Sequence, residues 1–130
     1  ELWFYAKINM YQMQELKDEK DAEKVLAFYR KMLKDPKNAD FRDRINYEMG
    51  YFQLKRNNPD EAITYFQTAA REKKATPFNK SFAWLRIADI YYDRKQAFEK
   101  SSKFYDSTIT VLEKDLPEYP RAFKRQRILK

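Results

Sequence analysis

The chain of 130 residues is one domain's worth of sequence, and with 43% hydrophobic and 17% aromatic residues it is too apolar to be disordered despite 36% charged residues. It has no Cys, no His and a single Gly, which excludes thiol and imidazole chemistry and the usual zinc sites, and leaves little turn chemistry for hairpins of strands. The net charge is +7, but five of the 27 basic residues fall in 121–130, where there is no acidic one, leaving 22 basic against 20 acidic groups elsewhere.

Prolines and polar breaks divide the chain into helices. The stretch "LWFYAKINMYQM" starts a helix over about 2–16. Because the chain opens directly on this pattern at Glu1, we expect a piece of a longer protein, with any targeting or lipid-anchor signal lying outside it. A second helix over about 20–34 stops at "KDPKN", and a third over about 40–56 stops at "RNN". Pro59 then opens a fourth at its tolerated first-turn position, with Asp60 and Glu61 where the helix dipole favours them. Further helices follow over about 78–94, 97–114 and 118–129. No apolar run approaches the roughly 20 residues that span a bilayer. The expected class is all-α, with neighbouring helices antiparallel because the connections are short.

The helical hairpins repeat. Asn46, Met49, Gly50 and Gln53 in one helix are followed in the next by Ala62, Phe66 and Ala69. Trp84, Ile87, Ala88 and Tyr91 are followed by Ser101, Tyr105 and Thr108, while Val25, Tyr29 and Met32 match the second-helix pattern earlier in the chain. This spacing resembles the tetratricopeptide repeat, whose second helix carries Ala-x3-Phe-x2-Ala. The step is 37 residues from Val25 to Ala62 and 39 from Ala62 to Ser101, slightly above the usual ~34. The resemblance implies a single α-solenoid domain over 1–130, with repeats at about 2–36, 40–74 and 78–115 and a closing helix at about 118–130. It also implies that Ala62 lies against Gly50, with Phe66 filling the wider gap beside them. A Gly in mid-helix costs about 1 kcal/mol relative to Ala, so a close contact is the reason to keep it.

The segments "LAFYRKMLKDPKNADFRDRINYEMGYFQLKRNNPDEAITYFQTAARE", "SFAWLRIADIYYDR" and "SSKFYDSTITVLEKDLPEYPRAFKRQRIL" resemble the repeat-rich lipoproteins of Bacteroidetes of the gliding-motility and type IX secretion kind (SprE and PorW). That resemblance implies a periplasmic protein anchored to the outer membrane through a lipid, which is missing from this sequence. Its implied partners are other components of the secretion machine.

Acidic residues cluster at Asp18, Glu19, Asp21 and Glu23 and again at Asp60 and Glu61. They sit at helix starts, where dipole stabilisation accounts for them without catalysis, and no Asp-x-Asp-x-Asp-Gly calcium loop exists. We therefore expect no enzyme, no cofactor and no metal. The basic run from Arg121 to Lys130 reads as the solvated face of a final helix, with Ala122, Phe123 and Leu129 packed on the third repeat. An anionic lipid or nucleic acid as its target is the alternative; nucleic acid is not the expected partner.

What remains is the face lined by the first helix of each repeat, which in stacked hairpins takes a partner segment. By register it presents Arg44, Tyr47, Tyr51, Leu54 and Lys55 from the second repeat and Phe82, Leu85, Asp89, Tyr92 and Asp93 from the third. Chaperone-binding members of the family hold a terminal carboxylate there with Lys, Asn and Arg; Tyr47, Tyr51, Leu85 and Asp89 depart from that pattern. The expected function is a non-enzymatic protein-binding scaffold, with a purely structural spacer as the rival class.

Overall fold

The computed structural model of the chain describes residues 19–130. The helix expected over 2–16, and with it the first half of the first repeat, lies outside them, as does Asp18. The secondary structure of the described residues is all helical, with no strand among them. Helix α1 spans Glu19–Lys34 and is followed by a 3-10 segment, Pro36–Phe41; then come α2 (Arg42–Lys55), α3 (Pro59–Arg71), α4 (Pro77–Asp93), α5 (Phe98–Val111) and α6 (Tyr119–Ile128).

The boundaries follow from local chemistry. Asp35 accepts a bond from the Lys37 backbone N–H at 3.0 Å, and Pro36 behind it cannot continue α1 but can start the tighter turn. The carbonyls at the end of α2 are closed by Asn57, which takes the left-handed backbone (φ 63°) that Asn tolerates. Pro59 then begins α3. Thr76 caps α4 by accepting from the Asn79 backbone N–H at 3.1 Å, with Pro77 as its first residue.

Partners across the helices give their relative directions. Between α4 and α5, Tyr92 meets Phe98 while Ala88 and Asp89 meet Ser101 and Tyr105. The numbers run in opposite senses, so the hairpin is antiparallel. Between α2 and α4, Asn79 bonds Asp43, Arg86 bonds Tyr47 and Arg94 bonds Asn57, at offsets of 36, 39 and 37 residues. A constant offset means parallel helices. The same holds between α4 and α6, where Arg121 and Arg125 bond Asp89 and Asp93 at offsets of 32 and 36. Helices α2, α4 and α6 thus form one parallel row.

The core runs between the helices as overlapping clusters. Val25, Tyr29 and Met32 pack with Ile45, Met49 and Phe52; Ala62 and Phe66 pack with Ile87 and Ile90; Leu85, Ala88, Tyr105, Leu112 and Ala122 join α4, α5 and α6. All nine second-helix positions picked out by spacing are buried, the most exposed being Met32 at 5%. The close approach appears directly at Ala88, whose backbone carbonyl accepts the Ser101 hydroxyl at 2.9 Å. At Gly50 the expectation needs correcting. The atoms nearest to where its Cβ would lie all belong to the Phe66 ring, at 2.9–3.0 Å. The glycine makes room for the Phe66 ring, which comes nearer to it than any atom of Ala62.

Candidate functional site

The parallel placement of α2 and α4 brings their outward residues onto one face, with two clefts between them. The first, of about 160 Å³, is lined by Asp43, Arg44, Tyr47, Ala69, Phe78, Asn79 and Phe82. The second, of about 210 Å³, is lined by Leu54, Arg86, Asp89, Ile90, Asp93 and Arg94. Tyr51, 37% exposed, stands on the same helix between the two sets, with the Lys55 ammonium 4.7 Å above its ring.

Of the residues expected on this face, Arg44, Tyr47 and Phe82 meet in the first cleft, and Leu54, Asp89 and Asp93 line the second. Tyr92 is half-buried beneath the Arg125 guanidinium, 4.1 Å from its ring centroid. Leu85 is fully buried in the core beside Tyr105 and Ala122 and is not available to a partner. The reason is angular. At about 100° per residue, a step of three from Phe82 reaches Leu85 on the core side, whereas a step of four reaches Arg86 on the open side. The face of α4 therefore reads Phe78, Phe82, Arg86, Asp89, Asp93. Extending that four-residue step one turn backward from Phe82 also finds Phe78, 44% exposed at the first cleft.

Several contacts fix these side chains. The Tyr47 ring stands edge-on to Phe66, with centroids 5.2 Å apart, and its hydroxyl accepts from Arg86 Nε at 2.9 Å. Burial raises the Tyr47 pKa above its ordinary value despite the opposing Arg86, so the phenol stays neutral. Burial acts to lower the Arg86 pKa, but attraction and hydrogen bonding to Tyr47 outweigh it and leave it raised. Arg86 is thus a fixed cation between the clefts. In the first cleft, Asp43 is 4% exposed and accepts from Asn79 Nδ2 at 2.8 Å.

The basic terminal helix divides into two sides. Arg125 bonds Asp89, Asp93 and the Tyr105 hydroxyl at 2.9–3.1 Å. Arg121 reaches Asp89 at 2.7 Å, and Lys130 stands 3.5 Å from Asp106. The Tyr105 hydroxyl in turn donates to Asp89. The expected solvated face is therefore only part of the picture: Lys124, Arg127 and the other cations of the helix but Arg125 are exposed, yet Arg121, Arg125 and Lys130 face carboxylates of α4 and α5. Ala122 is packed as expected, but Phe123 is 38% exposed and stacks on Tyr119.

Among the described residues no group of His, Cys, Asp and Glu could hold a metal ion, and no helix is long and apolar enough to cross a membrane. No protein-family model matches the chain, and no curated protein matches it either.

Proposed function

We propose that the chain is a tetratricopeptide-like α-solenoid segment acting as a non-enzymatic scaffold, holding a partner segment on the face formed by α2 and α4. The observation that carries this is the aromatic and charged surface of that face: Tyr51 and Phe78 stand exposed beside two clefts whose lining side chains are fixed by their neighbours. Rigid aromatic groups with a polar tip are the anchors that protein interfaces favour. The solenoid reading is supported by the parallel row of helices at offsets of 32–39 residues. The resemblance of its segments to gliding-motility lipoproteins is what supports placing the scaffold in a secretion machine at the periplasmic face of the outer membrane. The anionic-surface alternative loses weight, because Arg121, Arg125 and Lys130 already face carboxylates.

A photo-crosslinking residue placed at Tyr51, against a control at exposed Thr64 on α3, tests the reading in cells. One reproducible protein adduct from position 51 and none from 64 is expected. Equal adducts from both, or none from either, would leave a spacer.

A further inference from the structure

We propose that Arg86 receives a side-chain carboxylate, of an Asp or a Glu, from the partner segment. This rests on the scaffold reading and names the chemistry of its ligand. The guanidinium is half-buried, and its Nε donates to the Tyr47 hydroxyl at 2.9 Å. That bond holds the group in one orientation. Its two Nη nitrogens make no hydrogen bond among the described residues. No buried side-chain nitrogen there lacks a partner, so both stay open to solvent. The residue lines the second cleft, of about 210 Å³. A guanidinium pinned through Nε keeps its Nη edge as a fork, the geometry that a carboxylate meets with two parallel bonds.

The charges of that cleft can be followed bond by bond. Asp89 and Asp93 line it too, but all four of their oxygens are engaged. Asp89 accepts from the Tyr105 hydroxyl, Arg121 and Arg125, and Asp93 accepts from Arg125 at both oxygens. Two arginines of α6 thus answer the two carboxylates. Arg86 and Arg94 are left over. Neither forms an ion pair among the described residues, and the Arg94 guanidinium bonds the neutral Asn57 amide oxygen at 2.9 Å. An incoming carboxylate therefore meets two cations without a counter-charge, one of them half-buried, where water competes less for it. Position selects a side chain over a chain end. Arg86 lies midway along α4 and bonds Tyr47 of the first cleft while itself lining the second. A segment laid along this face crosses Arg86 in mid-course, where it presents a side chain and no terminus.

Nuclear magnetic resonance titration of the whole chain with three acetylated tripeptides tests this: Leu-Glu-Leu-amide, Leu-Gln-Leu-amide, and Leu-Gln-Leu with a free terminal carboxylate. Their leucines suit the apolar wall that Leu54 and Ile90 give the cleft. The Glu peptide should saturate with a millimolar dissociation constant, as small ligands do. It should shift the Arg86 Nε–Hε signal and the backbone of Leu54 and Ile90. Each Gln peptide should bind about fivefold more weakly, the scale of one exposed ion pair. The advantage of Glu should shrink as salt rises from about 0.02 to 0.5 M. Arg86→Gln should bind the Glu and Gln amides alike. Equal binding of those two by the wild type overturns the proposal, as does a free-carboxylate peptide that binds as tightly as the Glu peptide. So do shifts centred on Lys124 and Arg127, failure to saturate, or an advantage of Glu that survives in Arg86→Gln. The wild-type signals locate the site without the variant, so a variant that fails to fold leaves the test intact. The crosslink from position 51 separates the two claims: if it persists while these titrations fail, the scaffold stands and the carboxylate site falls.

Discussion

The α2–α3 and α4–α5 hairpins place the same three steps against their first helices with different chemistry. In α3 the positions are Ala62, Phe66 and Ala69; in α5 they are Ser101, Tyr105 and Thr108, all buried. Each α5 residue adds a hydroxyl, and Thr108 a methyl group as well. Ser101 donates to the Ala88 carbonyl and Thr108 to the Phe104 carbonyl, at 2.9 and 2.8 Å. The Tyr105 hydroxyl reaches Asp89 and Arg125. The α3 ring ends in hydrocarbon and needs a glycine to lie on, while the α5 ring ends in a polar junction that α6 completes. One packing step thus serves a closed hydrocarbon contact in one hairpin and the attachment of a further helix in the other.

The largest test of that contrast deletes each ring. Phe66→Ala and Tyr105→Ala should each cost about 3–5 kcal/mol in denaturant unfolding, as aromatic deletions from cores do. Only Tyr105→Ala should also strip hydrogen-exchange protection from α6, because only it removes part of the Asp89–Arg125 junction. Equal loss of protection in both variants would mean that α6 senses global stability and not the junction.

A smaller effect sharpens the α2–α3 side. Gly50→Ala gains about 1 kcal/mol of helix propensity, but its Cβ would stand 2.9 Å from a fully buried ring. In the wild type the clash should win and the variant should lose about 1–2 kcal/mol, within the range for overpacking. In a Phe66→Ala background the ring is gone, and the same change should stabilise by about 1 kcal/mol. A double-mutant cycle measures that reversal; additive effects would show that another group, not Phe66, sets the identity of residue 50.

Much of the helical layout is legible because it is punctuated. Pro36, Pro59 and Pro77 begin elements, and a periodicity of 3.6 marks residues such as Val25, Ala62 and Tyr105 as core. The face between α2 and α4 is legible only in part. Spacing finds Arg44, Tyr47 and Phe82, yet it puts Leu85 where Arg86 belongs, because steps of three and four fall on either side of the same stripe. The nearest neighbour of Gly50 is missed because choosing between Ala62 and Phe66 needs the rotamer of the ring. The attachment of α6 is legible in its apolar part, Ala122 and Leu129, and not in its polar part. Arg121 and Arg125 stand in a run without acids, and their partners lie 32–36 residues away, so a count of local charge reads them as solvated.

Alkaline unfolding separates the two rings further. Burial raises the Tyr105 pKa well above its ordinary 10.0. A raised folded value means that this stability is complete below pH 10 and is lost as pH climbs from there toward the folded pKa. Above pH 10 the wild type should therefore lose stability faster than Tyr105→Phe, by up to about 1.4 kcal/mol per pH unit. Parallel profiles would mean that the hydroxyl is as easily ionised folded as unfolded, and that the junction does not hold its proton.

The smallest expected effect belongs to the outer arm of the junction. The Arg121 side chain is 43% exposed, against 19% for Arg125, so water and salt screen its bond to Asp89. Arg125 also stays bonded to Asp89 when Arg121 is removed, so the carboxylate is not orphaned. Arg121→Gln should cost about 0.5 kcal/mol, typical of an exposed pair, and much of that difference should vanish in 1 M salt, where the Debye length falls to about 3 Å. Arg125→Gln strips Asp89, Asp93 and the Tyr105 hydroxyl of one shared donor, and should cost more and depend less on salt. Thermal unfolding of the two variants at low and high salt reads the difference. Should Arg121→Gln prove the more damaging, the attachment of α6 rests on its exposed edge, and the Tyr105 hydroxyl is incidental to it.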